Sequence, residues 1–198
     1  HFDDPERGFS FRADGPLDMR MNRMAPHTAA HLINNSSLEA LTDILRLNGE
    51  LKDARRMAQA IVKARDKQPM ATVADLLAAV TPLLNTKREK NDLACLFQAL
   101  RIAVNDEMGA LRELLEGSLK VTKSGSRLAI ITYHSLEDRM VKNFMRTGNV
   151  EGRSEADIYG NRPTPWRLIT SKPIVPDDEE VERNPRSRSA KLRVAERI

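Results

Sequence analysis

Between residues 127 and 139 the chain reads RLAIITYHSLEDR, an apolar run that closes on a histidine and a serine and then turns charged. His134 could carry or accept a proton near neutral pH, and Ser135 offers a hydroxyl beside it. If the run is a strand and the charged part a helix, the two residues stand where helix N–H groups open toward a ligand. The plain alternative makes Ser135 a helix cap and His134 a polar residue at a strand end. No G-x-S-x-G surrounds the serine, so a nucleophilic triad is not expected. The histidines at 1, 27, 31 and 134 show no ligand pattern, since His27 and His31 lack an H-E-x-x-H or cysteine partner. No metal site is therefore expected, and neither a P-loop nor a G-x-G-x-x-G occurs.

Three other groups of residues could meet nucleic acid. Arg101 and Asn105, in FQALRIAVN, lie four apart on one helix face. They form either a structural hydrogen-bonding pair in an otherwise apolar helix or the lining of a cleft. The segment ERGFSFRADGPLDMRM, residues 6–21, interleaves Arg7, Arg12 and Arg20 with Phe9 and Phe11. Arginine beside aromatic rings suits stacked bases and phosphates. The alternative is that the rings plug a core while the charges pair with Asp14, Asp18 and their neighbours. The end of the chain, RNPRSRSAKLRVAER from Arg183 to Arg197, carries six arginines or lysines against one glutamate, directly after an acidic PDDEEVE. Such a block either meets phosphate, with Arg186, Arg188 and Arg193 as its contacts, or is a solvated terminus.

The elements that must position these residues fall into three zones. Residues 1 to about 26 have no sustained periodicity and read as loop. Residues from about 34 to 119 read as successive helices. Ser36 and Glu39 give a capping box before Leu38, Leu41 and Leu45, and Asn48-Gly49 closes that helix. The next runs toward Pro69 with Leu51, Ala54, Ala58, Ile61 and Val62 at helical spacing. Thr72 and Asp75 give a second capping signature, and a long helix follows through REKNDLACLFQALRIAVNDEMGALRELLEGSL, bent near Asn105. Then the period changes. RLAIITYHS reads as a strand buried on both faces, with Ser135 capping the helix after it. WRLIT (166–170) and KLRVAERI (191–198) are further strands. Three strands and one clear helix are too few for a doubly wound sheet.

Composition bounds the class. The 198 residues are 40% apolar and 30% charged with a net charge of +4, the balance of a soluble globular protein. No apolar run approaches the roughly 20 residues of a membrane span, and no hydrophobic leader opens the sequence. The lone Cys95 cannot form an internal disulfide, which favours a reducing compartment, and a cytoplasmic location without membrane contact is expected.

The blocks DDPERGFSFRADGPLDMRM, ARRMAQAIVKARDKQPM, FQALRIAVNDE, RLAIITYHSLEDRMVKNFM and NPRSRSAKLRVAER resemble, in order and spacing, the signature blocks of one family. It is the bacterial 16S ribosomal RNA cytosine-N4 methyltransferases, the RsmH or MraW family, and the resemblance covers nearly the whole chain. It implies an α/β class I S-adenosylmethionine-dependent methyltransferase (Rossmann-like) fold with an all-helical insert. It implies S-adenosylmethionine as methyl donor and, as partner, a cytidine in the decoding region of 16S rRNA in the small ribosomal subunit. The base must then be extruded and its exocyclic amine held in line with the donor methyl, chemistry that rests on positioning.

The family's glycine-rich donor loop and acidic ribose-binding residue precede the RGFSF block, so the resemblance implies an incomplete catalytic domain here. On it, residues 1–23 are the link from the first half of that domain, 24–115 the helical insert and 116–198 the second half with its basic terminal strand. Asn22 and Cys95 depart from the aspartate and arginine common at those places. Carried over residue by residue, His1 is a cofactor contact and His134 and Ser135 are catalytic candidates. Arg7, Phe9, Arg12, Arg101, Asn105, Arg186, Arg188 and Arg193 are the RNA-facing candidates. The fragment alone is expected to be inactive; the alternative is a non-catalytic RNA-binding or ribosome-associated module derived from that family.

Overall fold

Side chains that can cap, and apolar residues at helical spacing, set the first elements of the computed structural model, which describes residues 4–154 and 164–198. The chain divides into two compact units, His1–Glu107 and Met108–Ile198. In the first, Thr28 caps α1 (Ala29–Asn35) and Ser37 caps α2 (Leu38–Gly49). The expected cap, Ser36, instead ends α1. Two short helices share the serine pair, so the α2 cap moves one residue on. Next come α3 (Ala54–Arg65) and α4 (Val73–Val80), the latter opened by the expected Thr72–Asp75 capping box. The long helix is broken rather than bent: α5 (Glu89–Asn105) stops where Asp106 takes the left-handed conformation at φ 46°.

Within this unit α2 packs mainly on α3 and α5. A Cβ on Gly49 would stand 2.8 Å from the Cys95 carbonyl oxygen, so glycine permits the α2–α5 approach. Leu41, Leu45, Ile61, Leu76, Leu96 and Leu100 are fully enclosed in its core. The opening segment is part of that core. Phe9, Leu17 and Met19 are buried, and the backbone pairs Leu17 N–H with Ala71 O and Met19 N–H with Arg7 O, each at 2.9 Å. Gly8 stands at φ 64°, and a Cβ there would fall 2.1 Å from Pro16 O.

The second unit holds α6 (Glu107–Val121, from Met108 onward), β1 (Arg127–Thr132), α7 (Ser135–Thr147), β2 (Trp166–Leu168), α8 (Asp178–Arg183), a 3-10 segment Pro185–Ser189 and β3 (Lys191–Arg197). The three expected strands form one sheet in the order β1-β3-β2, with both pairings antiparallel. Leu115, Val141, Phe144, Met145, Val150, Trp166 and Ala195 make its core.

β1 is not buried on both faces, as its apolar run had suggested. Strand side chains alternate, and only the face carrying Leu128, Ile130 and Thr132 is covered, Leu128 and Ile130 packing on the α7 core. Ala129 and Ile131 point the other way, opposite Val194 and Leu192 of β3, and Ile131 is 56% exposed. On that outer face Glu196 bridges Arg127 and Arg167. Among the described residues the whole is an α/β chain, a helical unit followed by a unit with a small antiparallel sheet.

Candidate functional site and nucleic-acid interface

At the strand-to-helix junction the structure departs from the expected cap. Ser135 is the first residue of α7 and His134 is its N-cap. His134 Nδ1 accepts the Glu137 amide at 3.4 Å, and Glu137 Oε2 accepts the amides of Tyr133 at 2.8 Å and His134 at 3.2 Å, closing a capping box. Because Nδ1 is an acceptor, the ring proton sits on Nε2, 3.4 Å from Glu137 Oε1. The Nδ1 cap and the Glu137 box suit a residue that positions the junction. The Ser135 side chain is exposed. The strand beside this junction pairs antiparallel, so the parallel-sheet argument for a ligand at its carboxyl end does not apply to the described residues.

A buried ion pair holds the first turn of α7. Arg193 of β3 donates from Nε to Asp138 Oδ1 at 2.7 Å and from Nη2 to Oδ2 at 3.1 Å, and Lys191 Nζ lies 3.5 Å from the same carboxylate. The Arg193 guanidinium, with Lys191 beside it, holds the Asp138 carboxyl below the usual carboxylate range against the opposing effect of burial. Arg193 was expected to face RNA. It is turned inward because alternation places Lys191, Arg193 and Ala195 on the helix-covered face. Asp138 was not anticipated as a site residue. The signal was present in K-L-R, two cations spaced by two on a face that should be apolar. Arg186 and Arg188 lie exposed on the 3-10 segment.

In the first unit, three side chains converge on the main chain of residues 19–25. Arg7 is 7% exposed, lies 5.6 Å over the Phe9 ring and donates to the carbonyls of Arg20 and Met21. Asn105 donates to Met19 O at 2.7 Å and Arg101 O at 2.9 Å, and its Oδ1 accepts the Met21 amide at 2.7 Å. Arg20 grips Asp18 through Nε and Nη2 at 2.7 and 3.0 Å and donates to Ala25 O at 2.7 Å. Asp18 is held below its ordinary range chiefly by that Arg20 hydrogen bond. A stretch without regular structure thus has its backbone groups satisfied by side chains.

Arg7 and Phe9, expected at an RNA surface, are therefore used inside the fold, as is the Asn105 amide. Arg101 forms a two-point pair with Glu107 at 2.7 and 2.9 Å. Arg12 is exposed. Phe11 meets Phe97 edge-on at 5.6 Å, in line with the core alternative. His1 lies outside the described residues. A cavity of about 470 Å³ in this unit is lined by Leu51, Lys52, Asp53, Arg56 and Met57, and by Leu83 to Asn85, Arg88 and Asp92. No helix among the described residues is long and apolar enough to cross a membrane.

Against known proteins, the model of the MraW methylase family matches residues 1–198. The chain is similar to proteins named ribosomal RNA small subunit methyltransferase H. It is 58% identical over 198 residues to that of Parabacteroides distasonis, 59% over 197 residues to that of Bacteroides thetaiotaomicron and 51% over 203 residues to that of Porphyromonas gingivalis W83. Each comparison takes in 100% of this chain and 65% of the relative, so the chain spans 65% of the length of these curated relatives.

Proposed function

The chain belongs to the MraW methylase family, and from that premise we propose that it is the larger part of an S-adenosylmethionine-dependent methyltransferase acting on the exocyclic N4 of a cytidine in 16S rRNA. The observation that carries the reading is the end-to-end family match together with relatives named for small-subunit rRNA methylation. On this reading the fold is an incomplete class I methyltransferase domain, residues 116–198, with a helical insert, 24–115, and a link, 1–23. Support for incompleteness is local: Ala129, Ile131, Leu192 and Val194 form an apolar sheet face, and Ile131 on it is more than half exposed.

The donor, when bound, supplies an electrophilic methyl group. His1, the candidate donor contact, lies outside the described residues. Gly8, Gly15, Gly49, Gly148 and Gly152 are crowded by the protein's own atoms, whereas Gly117 and Gly125 face open space, and none of these glycines lines the 470 Å³ cavity. No transfer step is therefore assigned to these residues. Their part in the reaction is to hold RNA. Arg12, Arg186 and Arg188 are the exposed cations for phosphate, with Arg101 beside them in the proposal only if its Glu107 pair opens. His134 and Ser135 are kept as the junction facing substrate, His134 as its positioning residue.

Incubating this chain with labelled donor and immature small subunits is expected to give no methyl transfer, while salt-sensitive binding to 16S rRNA is retained. Robust turnover would sink the incompleteness argument; absence of RNA binding would sink the RNA reading. The exposed Arg12, Arg186 and Arg188 would serve equally a second reading, a non-catalytic RNA-binding or ribosome-associated module derived from that family. Calorimetry separates the two in a chain extended to the length of its relatives: donor affinity supports the enzyme, none supports the module.

A further inference from the structure

The stretch from Met21 to His31 shows an unusual pairing of a pinned backbone with outward apolar and ring surface. Its main chain is fixed by Arg7, Arg20 and Asn105 as described, and by Asn22, whose Oδ1 accepts the Met24 amide at 3.0 Å and whose carbonyl accepts Ala25 N–H at 3.0 Å. On this fixed base Met24 is 89% exposed and Met21 47%. The His27 and His31 rings stack with centroids 4.3 Å apart, and Asn35 Nδ2 lies 3.4 Å from His31 Nδ1, which orients that ring. The Arg23 side chain is 65% exposed, with its nearest carboxylate, Asp4, at 4.0 Å.

We propose that this loop is a contact tip for single-stranded RNA, with Met24 wedged between bases, the His27–His31 stack extended by a further base, and Arg23 on a phosphate. The inference rests on the RNA reading above and adds the residues that would unstack the substrate strand. A base taken out of its stack must be replaced by something apolar of similar reach, and apolar wedges are used this way on duplexes. A preformed ring stack offers one more planar face, which every nucleotide can fill and few peptide side chains can. Holding the backbone beforehand removes the ordering cost that a floppy loop would face on binding.

The test uses the whole chain and a short single-stranded RNA carrying one 2-aminopurine, whose fluorescence rises on unstacking. Wild type is expected to bind with a fluorescence rise. Met24→Gln, similar in length but polar, is expected to lose most of that rise and to bind about tenfold more weakly, with an unchanged dependence on salt. Met24→Leu is expected to restore both. Arg23→Ala is expected to lower the salt slope by about 0.7 while keeping the fluorescence rise. Full binding and full fluorescence by Met24→Gln overturn this proposal and leave the RNA reading standing. A wild-type chain that binds no RNA at any salt overturns both. A concentration-dependent dimer in sedimentation that Met24→Gln abolishes also overturns it, because the patch would then serve a second copy of this chain.

Discussion

The two units solve the same problem, how to hold irregular backbone, by different means. In the first, cationic and amide side chains reach from buried or half-buried positions to main-chain carbonyls: Arg7 to Arg20 and Met21, Asn105 to Met19, and Arg65 to Ile33. In the second, the junction before α7 is closed by the His134–Glu137 capping box, and the helix's first turn is fixed by charge against charge, Asp138 on Arg193 and Lys191. The contrast follows from what surrounds each. A helical unit closed around one core can bring neutral carbonyls to a guanidinium, and each such bond is modest alone. A small sheet with one covered face puts strand cations directly beneath a helix, where only a carboxylate compensates their desolvation. Failure should therefore be graded in the first unit and abrupt in the second.

The largest effect is expected at that pair. Arg193→Met leaves Asp138 buried beside Lys191 alone and should destabilise the second unit by about 3–5 kcal/mol. Trp166 is the single tryptophan and is 1% exposed in that unit's core, so its emission during urea unfolding reads the change; an unshifted midpoint would break the contrast. Asn105→Ala removes the groups that satisfy Met19 O and Met21 N–H. Its expected cost is about 1–3 kcal/mol, read by far-UV circular dichroism, which is dominated by the helices of the first unit. A cost as large as that of Arg193→Met would show that both units depend equally on single contacts.

Much of this was legible in the sequence, and the exceptions share a cause. Helical spacing at Leu41 and Leu45, the Thr72–Asp75 box and the β-rich runs at 127, 166 and 191 all gave elements that stand in the structure. Local chemistry decides these, and local chemistry is what a sequence displays. Capping by His134 instead of Ser135 was missed because histidine is a rare cap, recognised only when Glu137 is seen to close the box. The inward turn of Arg7 and Arg193 was missed because a basic residue's partner can lie 13 or 55 positions away. The outer face of β1 could not be read from its apolar run at all, since periodicity does not say whether another layer covers it.

A smaller and sharper test of the contrast comes from acid. Asp138 has its folded pKa lowered by Arg193, so the unfolded chain takes up the proton first as pH falls. The pair's contribution is complete above the ordinary aspartate range, near 3.9, and is lost as pH drops through it toward the lower folded value. The Trp166 unfolding midpoint should therefore be flat from neutral pH to about pH 5 and then decline. Asp138→Asn removes this titration, and the decline should become shallower even though the variant starts from a lower midpoint. The first unit has its own lowered carboxyls, Asp18 through Arg20 and Asp75 through the Ala71 and Thr72 amides, so its circular-dichroism transition also weakens in acid. That weakening should be the same in Asp138→Asn as in wild type. If the Trp166 curve keeps its full acid slope in Asp138→Asn, charge pairing in the first turn of α7 is not what distinguishes the second unit, and its stability must rest on the Phe144–Trp166 core instead.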